Sequence, residues 1–206
     1  EGVVGGQWVI PRSTGFKVTA HQASQSYIYM AVRRPNKPPT LGTQVYKAIA
    51  RTGAGAAATV TGVGFAPDLA VIGERTSSYA KGGPSWFDRL RGGPSFTAKV
   101  LYSPNTNAEA VPPGNAFESF MQDGVKYGAD TSNQFLNYNT NETYIDLFFK
   151  RAPGVFDMIC YTGTGSTNNV PHNLGVMPEL ILGKNRTTGS TNWVGGCYYG
   201  GIAHLS

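Results

Sequence analysis

The chain's main stock of groups for acid–base, metal or nucleophilic chemistry is twelve Asp and Glu residues, three His and two Cys. Glycosidase-type hydrolysis would need two facing carboxylates, one to protonate the leaving group and one to attack or to activate water. Asp68 and Glu179 each follow a proline directly, where an acid stabilises a turn. Glu109, Glu118 and Asp123 lie mid-chain with no catalytic signature around them. His21, His172 and His204 stand far apart, outside the close histidine spacing of a zinc site, so no metal is expected. No Gly-x-Ser-x-Gly elbow and no Cys/His nucleophile arrangement occurs. The stretch Gly53-Ala-Gly-Ala-Ala-Ala-Thr59 lacks the Gly-Lys-Ser/Thr ending of a phosphate loop and reads as a hairpin loop that needs positive φ. No catalytic residue and no cofactor is therefore expected. What remains is recognition. Trp8, Trp86, Trp193, Tyr198 and Tyr199 could stack on sugar rings if exposed, although a tryptophan recurring along a chain is more often core. Asn141-Glu-Thr143 and Asn185-Arg-Thr187 fit the glycosylation pattern, which short sequences also produce by chance.

The elements that must position these residues recur. Pro67-Asp68-Leu69 and Arg75 reappear as Pro178-Glu179-Leu180 and Arg186, 111 residues on (67 to 178). Thr52-Gly-Ala-Gly55 reappears as Thr162-Gly-Thr-Gly165, 110 on (53 to 163). Tyr27-Ile-Tyr-Met-Ala-Val-Arg-Arg34 matches Tyr144-Ile-Asp-Leu-Phe-Phe-Lys-Arg151 at 117 (34 to 151), and Gly15-Phe-Lys17 matches Gly124-Val-Lys126 at 109 (15 to 124). Trp86 and Trp193 are approximate equivalents at 107 (86 to 193). Four blocks in one order at nearly one period describe a duplicated module. One complete unit is expected over residues 45–154. Residues 1–44 read as the C-terminal part of a preceding unit, and 155–206 as the N-terminal part of a following one. The chain reads as a piece of something longer, and a unit cut this way needs its other half, from the same chain or a neighbour, to cover its sheet edges.

Composition agrees with that plan. The charged fraction is 14% against a norm of about 25%, while Gly numbers 27 and Pro 13. Low charge, many aromatics and frequent turn residues describe an all-β protein. Strands are expected at Gly15 to Val18, Tyr27 to Val32, Val45 to Ile49, Leu69 to Ile72, Gly124 to Tyr127, Tyr144 to Phe149, Val155 to Cys160 and Leu180 to Leu182. Leu69, Ile72, Leu180 and Leu182 are expected in the core. Ser85-Trp-Phe-Asp-Arg-Leu-Arg91, flanked by Gly-Gly-Pro, reads as a loop. The fold class is all-β: tandem β-sandwich units, jelly-roll or lectin-like, of about 110 residues. Cys160 takes the place of Ala50 in a strand pattern and is expected as a buried free thiol, with no support for a disulfide to Cys197. The net charge of +5 is scattered, without the basic stripe that nucleic-acid binding wants. No apolar stretch approaches the roughly 18 residues of a membrane helix.

The motifs Tyr161-Thr-Gly-Thr-Gly165, His172-Asn-Leu-Gly-Val-Met-Pro-Glu-Leu180, Lys184-Asn-Arg186, Trp193 and Tyr144-Ile-Asp-Leu-Phe-Phe-Lys-Arg-Ala-Pro-Gly154 resemble a family of tandem β repeats in virion proteins of tailed bacteriophages. The first copy matches more loosely, with Arg51 for the tyrosine and Thr61-Gly62 for His-Asn, and residues 80–118 fall outside the resemblance as a variable region. The resemblance implies a non-enzymatic virion component at the particle surface, such as a tail fibre, that projects toward or adheres to the host. It implies partners among further copies and other virion proteins, with host glycan as a further partner, no nucleic acid and no membrane insertion. A lectin-like carbohydrate-binding module and a polysaccharide depolymerase are the alternatives.

Overall fold

The computed structural model describes residues 9–12, 15–18, 38–76, 83–92, 98–112, 116–130, 136–197 and 201–205, of which 9–12, 15–18 and 201–205 as backbone only. Trp8, His21, Tyr198, Tyr199 and the strand expected from Tyr27 to Val32 lie outside the described residues, as does the His204 side chain.

The chain divides into two compact units, Glu1–Pro35 and Asn36–Ser206. The first contains an antiparallel hairpin, β1 (Val9–Arg12) and β2 (Gly15–Val18), with Arg12 opposite Gly15. The second contains β3 (Tyr46–Thr52), β4 (Ala58–Val60), β5 (Leu69–Glu74), β6 (Ser85–Asp88), β7 (Leu101–Tyr102), β8 (Phe117–Met121), β9 (Gly124–Tyr127), β10 (Thr143–Phe149), β11 (Leu180–Gly183), β12 (Trp193–Cys197) and β13 (Gly201–Leu205). The protein is all-β, and every paired strand is antiparallel.

In the second unit the five-stranded order is β3-β10-β5-β6-β7, and a three-stranded sheet runs β4-β9-β8. A second three-stranded sheet runs β11-β12-β13. Strand β10 explains the core. Its side chains alternate at period two, so Tyr144, Asp146 and Phe148 are buried on one face. Tyr144 and Phe148 join Ala70 and Ile72 of β5, Phe87 of β6, Phe117 of β8 and Val125 and Tyr127 of β9 in one apolar cluster. Phe87 stacks on Phe117 with centroids 4.2 Å apart, bringing the five-stranded sheet against β8. Burying each such side chain contributes about 1.5–3 kcal/mol. Gly124 closes the β8–β9 hairpin at φ +147, where a Cβ would collide with the Val60 carbonyl of β4.

Several expectations fail, each for a long-range reason. Leu69 and Ile72 are buried, but Leu180 is 63% and Leu182 42% exposed, because no second sheet covers β11 among the described residues. Residues 155–160 form no strand, although the equivalent β3 does. β3 is held by β10 from Tyr46 opposite Phe149 to Thr52 opposite Thr143, and residues 155–160 have no such neighbour among the described residues. Cys160, in that segment, is exposed rather than buried, and both cysteines are free thiols. Ser85 to Asp88 is a strand, not a loop, because β5 and β7 both pair with it. The Gly53–Thr59 segment has its positive φ at Gly55 (64°), but it joins two sheets and is no hairpin, since β3 pairs with β10 and β4 with β9.

Candidate functional site: a buried arginine cluster and a tryptophan joint

Arg51, at the next-to-last position of β3, points into the core beside β10. Its Nε donates to Asp146 Oδ2 at 2.7 Å, its Nη2 to the Leu136 carbonyl, and its Nη1 to Asn137 Oδ1 at 3.5 Å. The guanidinium lies between two tyrosine rings, 4.2 Å from the Tyr127 centroid and 4.6 Å from that of Tyr144. The Tyr127 hydroxyl also donates to Asp146 Oδ2, at 3.0 Å. Asn137 extends the cluster into the loops: its amide donates to the Ala56 and Gly128 carbonyls, and its Oδ1 accepts the Ala54 N–H. The Tyr144 hydroxyl accepts the Tyr138 N–H.

Burial pushes the Asp146 carboxyl above its ordinary range, with Arg51 pulling the other way. Burial also raises Tyr127 well above ten and Tyr144 to about 12, so both phenols stay protonated at neutral pH. The guanidinium is delocalised and holds its charge. The cluster fastens loops 53–56 and 136–139 to the sheet.

A second assembly joins residues 155–197 to residues 45–154. Trp86 of β6 and Trp193 of β12 pack together with centroids 4.9 Å apart and planes tilted 39°. Each indole N–H is satisfied nearby, Trp86 on Ser103 Oγ at 2.6 Å and Trp193 on the Tyr102 carbonyl at 3.1 Å. Beside them Arg186 makes a two-pronged bond to Glu109, Nε to Oε2 at 2.9 Å and Nη2 to Oε1 at 3.0 Å. The Arg186 carbonyl accepts the Glu109 N–H, and Lys184 Nζ donates to the Thr106 and Thr191 carbonyls. Arg91 pairs with Asp88 and lies 3.7 Å from Glu109. The bond from Arg186 holds the Glu109 carboxyl below the usual carboxylate range.

The structure thus brings Trp86 and Trp193 together and turns them onto each other; Trp193 is 9% exposed. Their equivalence is approximate. Trp86 stands opposite Val71, and the residue opposite the matching Leu182 is Gly195, so Trp193 lies two positions earlier on its strand. Asp68, Asp123 and Glu118 have structural partners. Asp68 accepts the Arg151 N–H at 2.7 Å, Asp123 accepts the Gly62 and Gly64 N–H groups, and Glu118 pairs with Lys126 at 2.6 Å. Bonds from the Gly64 and Gly62 backbone lower the Asp123 pKa. His172 Nδ1 accepts the Leu174 N–H, and no group of three metal-ligating side chains occurs among the described residues. No helix among them is long and apolar enough to cross a membrane. The Arg51 cluster was not anticipated from the sequence. The signal available was Asp146, one acid inside the otherwise apolar run Tyr-Ile-Asp-Leu-Phe-Phe.

No curated protein and no solved structure matches the chain. Residues 42–197 match a family described as a domain of unknown function, DUF7483, and the span covers both the arginine cluster and the tryptophan joint. With most of its length inside that match, the chain belongs to the DUF7483 family.

Proposed function

We propose that this chain is a non-enzymatic structural protein of a bacteriophage particle, a tail fibre or another surface component, built from tandem β-sandwich repeats of about 110 residues. In this reading it assembles with further copies and other virion proteins, and it projects toward or adheres to the host. One observation carries the repeat reading: strand pairing recurs along with sequence. The register of β1–β2 maps onto that of β8–β9 at an offset of 109 over the three pairs nearest the turn, with Arg12 opposite Gly15 becoming Met121 opposite Gly124, before a β-bulge puts Phe117 opposite Tyr127. The order β5-β6-β7 likewise returns as β11-β12-β13. A scaffold role is supported by the polar groups described above, which bind loops to sheets and one repeat to the next. The virion assignment itself rests on the sequence resemblance.

Mass spectrometry of purified phage particles from a strain carrying the gene, followed by immunogold placement, tests the reading. The expected result is the protein on the tail or particle surface. Particles that lack it would sink the proposal. A glycan array separates the lectin alternative, because a plain scaffold retains no sugar.

A further inference from the structure

The open edge of β11 is the place where the structure asks for another strand. In residues 45–154, β5 has β6 on one side and β10 on the other. Its counterpart β11 has β12 on one side, and among the described residues nothing pairs with the other. Tyr161, Met177, Leu180 and Ile181, four of the more exposed large apolar side chains, lie on β11 or in the segments beside it. Residues 156–162, which correspond to β3, also run without a ladder. In residues 45–154 the counterparts of these two segments, β3 and β5, flank β10.

We infer that the segment 27–32 of a second copy of this chain inserts between residues 156–162 and β11, adding a strand that links copies head to tail. The inference rests on the repeat reading above. Tyr27-Ile-Tyr-Met-Ala-Val-Arg-Arg34 is the sequence counterpart of β10, and it follows the β1–β2 hairpin in the chain, as β10 follows the β8–β9 hairpin, whose three pairs nearest the turn have the same register. Strand addition to an open edge gains ladder hydrogen bonds for affinity and alternate side chains for specificity.

The chemistry of the gap matches the segment. Phe148 stands opposite Ala70 in the complete repeat, so Ala31 comes opposite Ile181. Asp68 accepts the backbone N–H of Arg151, so Glu179, placed like Asp68, meets the N–H of Arg34. The clearest correspondence is at the arginine cluster. Arg51 and Asp146 form an ion pair in the complete repeat, and their counterparts are Tyr161 and Tyr29. Both members of the pair change together, and no unpaired charge is left to bury. Tyr161 is 66% exposed and free to receive a neighbour. In the complete repeat β10 leaves through a short turn, Ala152 N–H to the Phe156 carbonyl, into the next repeat. A strand seated in the gap leaves in the same sense, so the contact is heterologous and propagates.

Cysteine cross-linking in the 206-residue chain tests this. With C160S and C197S as background, chains carrying A31C are mixed with chains carrying I181C and oxidised gently. The expected result is a disulfide-linked dimer from that mixture and little from A31C with L180C, whose side chain faces the other way. A chain carrying both A31C and I181C should give a ladder of oligomers. Cross-linked monomer alone, equal yields for both pairings, or no cross-link would each overturn the inference. Sedimentation equilibrium provides the second readout. The cysteine-free chain should associate with rising concentration, and Ile181→Asp, at an exposed position, should weaken that association roughly tenfold or more. A chain that stays monomeric throughout would also overturn it. Failure here leaves the particle location untested and standing, whereas absence from particles leaves the cross-link standing.

Discussion

Arg51 gathers a carboxylate, a carbonyl, an amide oxygen and two aromatic faces around one guanidinium. Asp146 is fully buried, so its charge is tolerable only while the guanidinium stands beside it. Arg51→Met should therefore destabilise the fold by about 3–5 kcal/mol, since it leaves an uncompensated buried carboxylate. A second change, Asp146→Leu, should recover much of that loss. Urea denaturation of the single and double variants decides the matter. If the single variant unfolds like the parent, the cluster does not carry the weight assigned to it.

Among the elements, β5 and β11 have similar apolar sequences and opposite burial. Ile72→Ala should cost about 2–5 kcal/mol, because it empties a packed site. Leu182→Ala should fall within about 0.5 kcal/mol when measured on dilute monomer, since its side chain already meets water. Equal melting shifts for the two would refute the burial contrast. The clasp between Glu109 and the 184–191 loop is sensitive to acid. Folding lowers the Glu109 pKa, so its stabilisation is complete above the unfolded value of about 4.3 and is lost as the pH falls through the lower folded value. Glu109→Gln should flatten that acid limb in melts between about pH 5 and 3, and an unaltered limb would show that another carboxylate is responsible.

On the scale of the whole molecule, Trp86 and Trp193 join residues 155–197 to residues 45–154. Trp193→Ala removes the ring contact and the bond to the Tyr102 carbonyl. Limited proteolysis within residues 184–197 should then quicken by about tenfold, the equivalent of about 1.4 kcal/mol in local opening. Ordinary core melting should change little. If cleavage does not quicken, the two tryptophans are neighbours without being a joint.

Local pattern alone is enough to specify the all-β class and to place β2, β3, β5, β9, β10 and β11, because aromatic and β-branched runs bounded by Gly and Pro are local signals. Tertiary structure decided the rest. Residues 156–162 read like β3, yet a strand exists only where a neighbour supplies its ladder, and β10 supplies one to β3 and not to residues 156–162. Leu180 and Leu182 read like Leu69 and Ile72, yet burial depends on a second sheet arriving from elsewhere in the chain. Arg51 joins Asp146 across 95 residues, and no short window of sequence holds both ends of that pair.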